Sequence, residues 1–357
     1  MLWATRTLIK LIERGMVSDA LIRRGIRSLL KQRLSTLPLN DARDYENYLS
    51  RFLDRMASAP VAPLPEKANE QHYELPSAFF AFVLGTRRKY SSCYWPDGVE
   101  DLDEAEFQAL TETCSRAELS DGQTILELGC GWGSLSLWMA QHYPASRITA
   151  VSNSHSQKAD ILARAARAGF TNIDVITCDM NDFSPGERFD RIVSVEMFEH
   201  MRNWQELFGR VAGWLHPDGR FFLHIFCHRS LPYEFVVEDE SDWMSRYFFS
   251  GGMMPSYDLP LHFEDRLRLI RRWGWNGKHY ERTANAWVAN MDRHKAQIWP
   301  ILSQTYGAEW APVWWMRWRI FFMACAELFG YHDGEEWLVG HYLFERQAEG
   351  PEHRSAL

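Results

Sequence analysis

Three residues that could do acid–base chemistry lie at the end of an apolar run, in the segment IVSVEMFEHMRNW (residues 192–204). Glu196, Glu199 and His200 follow that run directly, and ionisable groups at the end of a buried strand are unfavourable unless they are partnered or used. A carboxylate can hold a cation, and a carboxylate or an imidazole can take a proton. A structural explanation is equally open, because Asn203 and the acid three residues on form the capping-box pattern of a helix start.

A second group of residues points to a ligand. In the octapeptide ELGCGWGS, Glu127 precedes three glycines at alternate positions, Gly129, Gly131 and Gly133. Glycines spaced in this way let the backbone turn tightly and approach a bound molecule, and a purely structural turn would not require all three. A dinucleotide site is disfavoured, because Ser134 occupies the place of its third glycine and no acid ends the next strand, in VSNSHSQ.

Short strand-like runs alternate with helical stretches after about residue 72. The runs are TILELG (124–129), RITAVS (147–152), IDVITCD (173–179), FDRIVSVEM (189–197) and GRFFLHIF (219–226), with EEWLVGHYLFER as a closing strand. Between them, LSLWMAQHY, SQKADILARAARAG and NWQELFGRVAGWL are long enough for crossover helices. This alternation predicts an α/β fold, with a mostly parallel sheet covered by helices on both faces.

Composition disfavours several classes of protein. The formal net charge of the 357 residues is −8, which argues against nucleic-acid binding because that function needs a basic face. Six dispersed cysteines without a CxxC pair argue against a disulfide framework and a zinc site, so we expect reduced thiols, no bound metal and a cytoplasmic protein. No apolar stretch reaches the ~18 residues that a membrane span needs.

The N-terminal part of the chain differs from the rest. Residues 3–33 have a basic amphipathic helical pattern. Such a helix could contact an anionic membrane, but we favour packing against the acidic remainder of the chain or against a second copy in a homodimer. A further helical pattern at 41–57 leads into the proline-rich linker ASAPVAPLPEKANEQ. We therefore separate a helical extension with its linker, residues 1–70, from a main domain, residues 71–357.

Tryptophan is unusually abundant, with 16 residues in the chain, and ten of them follow residue 240. Most of these large rings should pack in the core. A few could form the wall of a pocket for a cation or a flat ligand. We therefore interpret the insertion around 228–335 as an aromatic cap over the substrate.

The pattern E-x-G-x-G-x-G after the first strand of a parallel sheet resembles the first motif of class I methyltransferases, which bind S-adenosylmethionine. The resemblance implies a Rossmann-like, seven-stranded sheet. It also implies that Gly129 and Gly131 lie against the methionine moiety of the cofactor, and that Glu127 supports its ammonium group. Asp179 and Met180, which follow the third strand in TCDMND, would hold the adenine.

Further segments narrow the resemblance. HYELPSAFF, KYSSCYWPDG and SVEMFEHM resemble the cyclopropane-fatty-acid synthase superfamily of methyltransferases, and the closer similarity is to the plant coclaurine-type N-methyltransferases. It extends from ERGMVSDALIR near the N-terminus to ELFGYHDGEEWLVGHYLF near the C-terminus. By this resemblance, Tyr90 and Ser91 hold the methionine end of the cofactor, and Asn153 and Gln157 hold its ribose.

One position distinguishes the two branches of this superfamily. The cyclopropane synthases typically have glycine where this chain has Glu196, whereas the plant N-methyltransferases share the pattern V-E-x-F-E-H. In YSSCYW, Ser92 stands where the synthases have a cysteine that helps to build a bicarbonate site. Other members of that bicarbonate site are retained, namely Glu199, His224 and Tyr280. The resemblance implies a substrate pocket that contains His224, Tyr280, Phe329 and Trp337.

The resemblance also implies a function: N-methylation of a small arylalkyl or heterocyclic amine, with Glu196, Glu199 and His200 as the catalytic residues. An amine with a pKa of about 10 is protonated at neutral pH and cannot attack a methyl group until a base takes its proton. The alternative is methyl or methylene transfer to unsaturated lipid acyl chains, for which the basic N-terminal helix would contact the membrane. An inactive cofactor-binding scaffold is disfavoured by the intact acid–base cluster.

Overall fold

A seven-stranded sheet with the strand order β3-β2-β1-β4-β5-β9-β8 forms the centre of the protein. The computed structural model describes residues 2–38, 41–64, 75–237 and 242–347. Strands β1 to β5 pair in parallel, and β9 runs antiparallel to both of its neighbours. The strands are β1 (Thr124–Leu128), β2 (Arg147–Ser152), β3 (Ile173–Thr177), β4 (Phe189–Val195), β5 (Leu215–His228), β6 (Tyr233–Glu234), β7 (Met253–Met254), β8 (Leu267–Trp275) and β9 (Trp337–Arg346).

Helices cover the sheet and extend beyond it. They are α1 (Leu2–Glu13), α2 (Asp19–Thr36), α3 (Ala42–Ala57), α4 (Ser77–Val83), α5 (Leu102–Arg116), α6 (Ser134–His142), α7 (His155–Ala168), α8 (Trp204–Trp214), α9 (Trp243–Tyr247), α10 (Lys278–Arg293), α11 (Lys295–Tyr306) and α12 (Ala311–Phe329). Short 3-10 helices occupy Phe198–His200, Leu259–Phe263 and Tyr331–Gly334. The predicted crossover helices are α6, α7 and α8.

The predicted α/β fold is confirmed, because each of the predicted strands is present in the sheet. The central strands are apolar on both faces, as parallel strands covered by helices must be. Ile125, Leu126 and Leu128 of β1, for example, have no exposed surface. The predicted helix start at Asn203 is also present, since its side-chain oxygen accepts the backbone N–H of Glu206 at 3.0 Å.

The N-terminal extension packs against the C-terminal helices. The amphipathic pattern at 3–33 is divided into α1 and α2 at Gly15, whose φ of +72° ends the first helix. Both helices contact α12, and Arg23 and Arg27 pair with Glu327 at 2.9 and 2.5 Å. This is the packing on the protein body that we favour over membrane contact. Across the described ranges, no helix has the combined length and apolar character that crossing a bilayer requires.

The segment that we interpret as a substrate cap, residues 228–335, includes α9 to α12 and the small β6–β7 sheet. It also supplies β8, which pairs with β9, so part of this insertion belongs to the central sheet. Five of the ten tryptophans after residue 240 are buried, whereas Trp310 is 50% exposed. The boundary that we placed at 70/71 lies outside the described residues, and the division into domains stays a prediction.

Candidate active site

The candidate site lies where the strand order of the sheet reverses. β1 and β4 are neighbours at the centre, and the chain proceeds from β1 towards β3 on one side and from β4 towards β5 on the other. In such sheets, ligands bind at this switch point, beside the carboxyl ends of the strands. Glu127 belongs to β1, Gly129 follows directly after that strand, and Glu196 directly follows β4.

The turn after β1 requires glycine for two different reasons. Gly129 has a φ of +78°, and a Cβ atom there would lie only 2.5 Å from Cγ of Met197. The turn therefore packs directly against the segment that carries Glu196. Gly131 has a φ of +51°, and the position of its Cβ has no neighbouring described atom within 4 Å. A side chain at Gly131 would be strained and would occupy space that a ligand can fill.

Two cavities meet at this turn, and both are lined by Gly129, Gly131 and Glu196. The open space at them, part of which is continuous with solvent, is about 780 and about 570 Å³. Among the residues predicted to bind the cofactor, the first cavity is also lined by Asn153, Gln157, Asp179 and Met180. The second is also lined by Tyr90, Ser91 and Glu127. The structure thus brings all nine of the predicted cofactor-binding residues to two adjoining cavities.

Buried polar atoms at these cavities suit S-adenosylmethionine. Gln157 is 1% exposed, and its Oε1 accepts the Ser152 hydroxyl at 2.6 Å, but its Nε2 has no partner among the described residues. The hydroxyl of Ser134, at the second cavity, also has no partner in that part of the chain. Buried polar groups are almost always hydrogen-bonded, so a ligand is expected at each. The ribose hydroxyls and the carboxylate of the cofactor offer acceptors of this kind.

Glu127 is an acid with no neutralising charge beside it among the residues that the structure describes. It is buried, and one of its carboxylate oxygens accepts the hydroxyl of Ser136. Burial raises the pKa of Glu127 to about 8, because the ionised form is poorly solvated there. An ammonium group beside it would favour the ionised form again. The methionine moiety of S-adenosylmethionine carries such a group, so Glu127 fits its predicted role.

Backbone contacts fix the part of the first cavity that is predicted to hold the adenine. Asp179 accepts the backbone N–H of Asn181 on Oδ1 at 2.8 Å. Asn181 in turn binds the N–H and the C=O of Ala62, both at 2.9 Å, which fixes the segment after α3 at the edge of the first cavity. Met180 is buried at the same cavity and offers an apolar surface to a flat ring. An acceptor beside an apolar surface suits an aminopurine.

Glu196 is held by three hydrogen-bond donors from different parts of the chain. Its Oε1 accepts the backbone N–H of Ser92 at 2.8 Å and the Nε2 group of His224 at 3.1 Å. Its Oε2 accepts the hydroxyl of Tyr280 at 2.7 Å. Burial raises the pKa of Glu196 above its usual value, and the positive charge of Lys89 and the hydrogen bonds from Ser92 and Tyr280 oppose this rise only in part. The donors therefore favour the ionised carboxylate.

The backbone of Glu196 is itself unusual. Its φ is +49°, a region that costs free energy for a residue with a side chain. Its N–H donates to the carbonyl oxygen of His224 at 2.9 Å. This strained conformation directs the chain out of β4 and into the 3-10 helix that carries Glu199 and His200, so the turn determines where all three ionisable groups point.

Glu199 occupies a different environment from Glu196. It is fully buried, its Oε1 accepts the backbone N–H of Phe226 at 2.7 Å, and its Oε2 has no partner among the described residues. Burial, and secondly the negative charge of Glu196, raise the pKa of Glu199 well above its usual value. This environment therefore favours the protonated form of Glu199. It is not among the residues that line the two cavities.

His200 lines the first cavity beside Glu196. Its ring stacks on Phe249, with the ring centres 4.8 Å apart and the planes 20° apart. Burial lowers the pKa of His200 to about 4, and the negative charge of Glu196 opposes this effect only in part. The imidazole is therefore neutral at neutral pH and has a lone pair with which it can take a proton.

Of the four residues predicted for the substrate pocket, only two are hydrogen-bonded to Glu196 in the described part of the chain. His224 and Tyr280 both reach the carboxylate described above. Phe329 stacks on Tyr280 with the ring centres 4.2 Å apart. Trp337 is completely buried and donates its indole N–H to the Tyr233 hydroxyl at 2.9 Å. None of the four residues lines either cavity, and their place in a substrate pocket stays a prediction.

Three groups connected to Glu196 could not be identified from the sequence. The Ser92 N–H donates to Glu196 directly. His341 is hydrogen-bonded to His224, and Arg116 is hydrogen-bonded to His341, on the side of His224 that faces away from Glu196. A lone histidine in the apolar run WLVGHYLFER gives no signal of function by itself. The register of β5 with β9, which pairs His224 with His341, is the information that the sequence lacks.

This sheet, with its antiparallel strand β9 between β5 and β8, is the sheet of the class I methyltransferases. The residues predicted to bind S-adenosylmethionine gather at its switch point and leave buried donors for that cofactor. The protein is therefore an S-adenosylmethionine-dependent methyltransferase.

Comparison with known proteins identifies the family. The chain belongs to the mycolic acid cyclopropane synthetase family, whose model matches residues 64–335. It is 34% identical over 344 residues to the (S)-coclaurine N-methyltransferase of Thalictrum flavum subsp. glaucum, covering 95% of each chain. It is 28% identical over 302 residues to the cyclopropane-fatty-acyl-phospholipid synthase of Escherichia coli K12, covering 83% of this chain and 73% of that one.

A solved structure resembles the whole chain. The crystal structure of a coclaurine N-methyltransferase bound to N-methylheliamine and S-adenosylhomocysteine superposes with a TM-score of 0.92 at 33% identity. The match covers 96% of this chain and 99% of that one. The similarity therefore includes the N-terminal helices as well as the sheet, in agreement with the resemblance found in the sequence.

Proposed function

We propose that this protein transfers the methyl group of S-adenosylmethionine to the nitrogen of a small amine, either arylalkyl or heterocyclic. The observation that carries this proposal is the carboxylate of Glu196, held by three donors where the two cavities meet. The related coclaurine and pavine N-methyltransferases, named for alkaloid amines, support the same class of substrate.

Glu196 binds the ammonium form of the amine. An amine with a pKa of about 10 arrives protonated at neutral pH, so the site must first attract a cation. The methyl donor is itself a sulfonium cation, and two cations repel each other strongly in a site with little water. An ionised Glu196 next to both offsets that repulsion. Since three donors hold the carboxylate, it is already oriented before the amine enters.

His200 takes the proton from the amine. It lines the same cavity as Glu196, and its imidazole is neutral at neutral pH because burial lowers its pKa to about 4. The positive charge of the bound cofactor weakens the hold of the amine on its proton, and transfer of that proton to the imidazole leaves a nitrogen lone pair. That lone pair attacks the methyl carbon, and the sulfur leaves with the electrons of its bond to carbon.

Glu199 serves this site as a neutral acid. Its raised pKa keeps it protonated, so it does not add a second negative charge next to Glu196. Its contact with the N–H of Phe226 fixes the 3-10 helix against β5 and thereby positions the adjacent His200. The catalytic role expected for Glu199 from sequence is in this proposal one of holding the turn.

The N-terminal extension is proposed to stabilise the protein body rather than to bind a membrane, on the strength of its ion pairs with α12.

A cytoplasmic location is supported by the six cysteines, which are all free thiols in the structure and include four fully or nearly fully buried ones.

Methyl transfer to a panel of substrates tests the function. Purified protein with S-adenosylmethionine is offered secondary and tertiary arylalkyl and heterocyclic amines, and separately phospholipid vesicles with monounsaturated chains. Mass spectrometry should detect amines that have gained a methyl group. Modified lipid acyl chains with no methylated amine would instead assign the protein to the cyclopropane synthase type of reaction.

A further inference from the structure

A continuous line of hydrogen bonds connects Glu196 to an arginine near the protein surface. The guanidinium Nη1 of Arg116, the last residue of α5, lies 2.8 Å from Nδ1 of His341. Nε2 of His341 lies 2.8 Å from Nδ1 of His224, and Nε2 of His224 lies 3.1 Å from Oε1 of Glu196. Neither histidine has any exposed surface.

The arginine determines the direction of every bond in this line. A guanidinium has only donors, so Nδ1 of His341 must be an acceptor and its proton must be on Nε2. His341 therefore donates to Nδ1 of His224, which leaves the His224 proton on Nε2, directed at Glu196. Burial lowers the pKa of both histidines well below the usual value, so each is neutral and has a single N–H. Each hydrogen in the line consequently points towards Glu196.

The strand register of the sheet places the two histidines of this line next to each other and next to Glu196. His224 of β5 pairs with Val195 of β4 on one side and with His341 of β9 on the other. Arg116 is held from outside, by an ion pair with Glu112 at 2.7 Å and by the ring of Trp273, whose centre lies 5.2 Å away. The line thus runs from α5 through His341 of β9 and His224 of β5 to Glu196 at the end of β4.

We propose that Arg116 and His341 are positioning residues for methyl transfer: they fix the direction of the hydrogen bonds so that Glu196 is always offered a proton donor. Glu196 then remains an anion that binds the ammonium and does not itself take the proton. This inference rests on the proposed function, because it assigns ammonium binding to Glu196.

The same geometry excludes the line as a path for protons leaving Glu196. A proton that left the carboxylate would have to enter Nε2 of His224, which already carries one. Both imidazoles would need to exchange tautomers first, and the reversed line would place the N–H of His341 against the N–H of Arg116. The proton of the amine must therefore leave elsewhere, and His200 is the group at the cavity that can receive it.

Other charged and titratable groups face the two ends of the line. Around Glu196, besides His224, they are Lys89, Cys93, Glu199, His200, Tyr280 and Cys325. Around Arg116 they are Glu112, Tyr94 and Tyr257. A change in the behaviour of Glu196 must therefore be traced to the line by a variant that alters its direction and leaves these groups in place.

Two substitutions of Arg116 distinguish its effect on the direction of the hydrogen bonds from its effect on packing. Arg116→Gln offers either an amide N–H or a carbonyl oxygen to His341, so the line can reverse. Arg116→Lys is also shorter than arginine but can only donate, so the direction is retained. Arg191→Gln is the matched control, since Arg191 is another partly buried arginine that donates to the carbonyl oxygens of Glu118 and Asp190 and does not contact the line.

Nitrogen-15 NMR of the histidine rings shows which nitrogen of each ring carries the proton, and therefore the direction of the hydrogen bonds in the line. In the wild type, Nδ1 of both His341 and His224 should lack a proton, and Nε2 should carry it. Arg116→Gln should give mixed tautomers, whereas Arg116→Lys and Arg191→Gln should keep the wild-type pattern. A protonated Nδ1 of His341 in the wild type overturns the inference, and this measurement does not depend on whether any variant folds.

The affinity for a permanent cation measures how the direction of the hydrogen bonds affects the charge of Glu196. N,N-dimethyltetrahydroisoquinolinium is a heterocyclic quaternary ammonium whose charge does not change with pH. Arg116→Gln should weaken its binding about tenfold near neutral pH, the usual effect of losing a hydrogen bond to a charged group, and the loss should diminish as rising pH ionises Glu196 again. Affinity for S-adenosylhomocysteine should be unchanged, and Arg116→Lys should restore cation binding.

The outcomes distinguish this inference from the proposed function. If the wild type binds the cation and methylates amines, but Arg116→Gln has wild-type tautomers and wild-type cation affinity, the positioning role is wrong and the function stands. If the wild type neither binds the cation nor methylates any amine, the function is wrong and the inference fails with it, whatever the tautomers. A loss in Arg116→Lys equal to that in Arg116→Gln would make the role one of packing only.

Discussion

The hydroxyl of Tyr280 donates to Oε2 of Glu196 at 2.7 Å and so joins α10 to the end of β4. Burial raises the pKa of Tyr280 well above its usual value, with the negative charge of Glu196 as the second cause, so the phenol keeps its proton. Tyr280 therefore acts as a permanent donor. Because its ring also stacks on Phe329, the contact orients the carboxylate from the helical cap.

Tyr280→Phe removes this donor and keeps the stacked ring. We expect the KM for the amine to rise by about three- to tenfold, since one hydrogen bond to a charged group is lost, while the affinity for S-adenosylhomocysteine stays the same. Steady-state kinetics and calorimetry give the two values. An unchanged KM would show that the orientation of Glu196 does not depend on α10.

Glu199→Gln should be tolerated. In the proposed mechanism the carboxyl is protonated, because burial raises its pKa, so an amide of nearly the same shape keeps the Phe226 contact and changes no charge. We expect kcat to fall by less than about tenfold, far short of the ~10²–10⁴-fold that loss of a general base costs. A fall of that larger size in a folded Glu199→Gln protein would show that Glu199 itself takes the proton.

His200→Asn should lower kcat by about 10²–10⁴-fold, the usual contribution of a general base, with little change in cofactor affinity. The deficit should shrink as pH rises towards the pKa of the amine, because the substrate then arrives without its proton. Rate profiles against pH for wild type and variant make the comparison. His294→Asn is the control, a partly buried histidine whose ring nitrogen binds the carbonyl oxygen of Phe82. A pH-independent deficit in His200→Asn would argue against proton transfer.

The raised pKa of Glu127 predicts how the free energy of unfolding depends on pH. Its pKa of about 8 in the folded protein lies above the usual 4.5, so above pH 4.5 the unfolded chain binds fewer protons than the native state does. The contribution of Glu127 to the unfolding free energy therefore falls as pH rises from 4.5 to about 8. Glu127→Gln should stabilise the cofactor-free protein at alkaline pH, by roughly 2–4 kcal/mol, and have little effect at acidic pH.

The same variant should bind S-adenosylmethionine more weakly. In the wild type at pH 7, cofactor binding should release close to one proton from Glu127, and the variant should not release it. Chemical denaturation measures the stability, and calorimetry in buffers of different ionisation enthalpy counts the protons. Equal stability of the two proteins at alkaline pH, with equal proton release, would contradict the assignment of Glu127 to the ammonium of the cofactor.

Much of the cofactor site could be predicted from sequence because its residues are local to strand ends. Gly129, Gly131 and Asp179 each follow a strand that apolar composition identifies, and parallel strands bring such ends to one edge of the sheet. The family resemblance supplied Tyr90 and Ser91, which no strand pattern could place. All of these residues line the two cavities of the structure.

The remainder depends on register and burial, which the sequence does not show. Glu196 and Glu199 are similar in the sequence, yet one carboxylate has three hydrogen-bond donors and the other has a single backbone donor and lies near the negative charge of the first, so their proton affinities differ. His341 is one polar residue in an apolar strand, and only its pairing with β5 makes it part of the site. Trp337 has Tyr233 as its hydrogen-bond partner, and its place in the substrate pocket stays a prediction.

Glu196→Gln is the sharpest test of whether Glu196 binds the ammonium of the substrate as an anion. The amide keeps the size of the side chain and removes its charge. The measurement is kcat/KM for methylation of an amine that the wild type accepts, together with calorimetric affinity for S-adenosylhomocysteine and for the quaternary ammonium probe. We predict a loss of at least about 10²-fold in kcat/KM and weak binding of the probe, with cofactor affinity within a few-fold of wild type. Wild-type kcat/KM and probe affinity in folded Glu196→Gln protein would contradict the account.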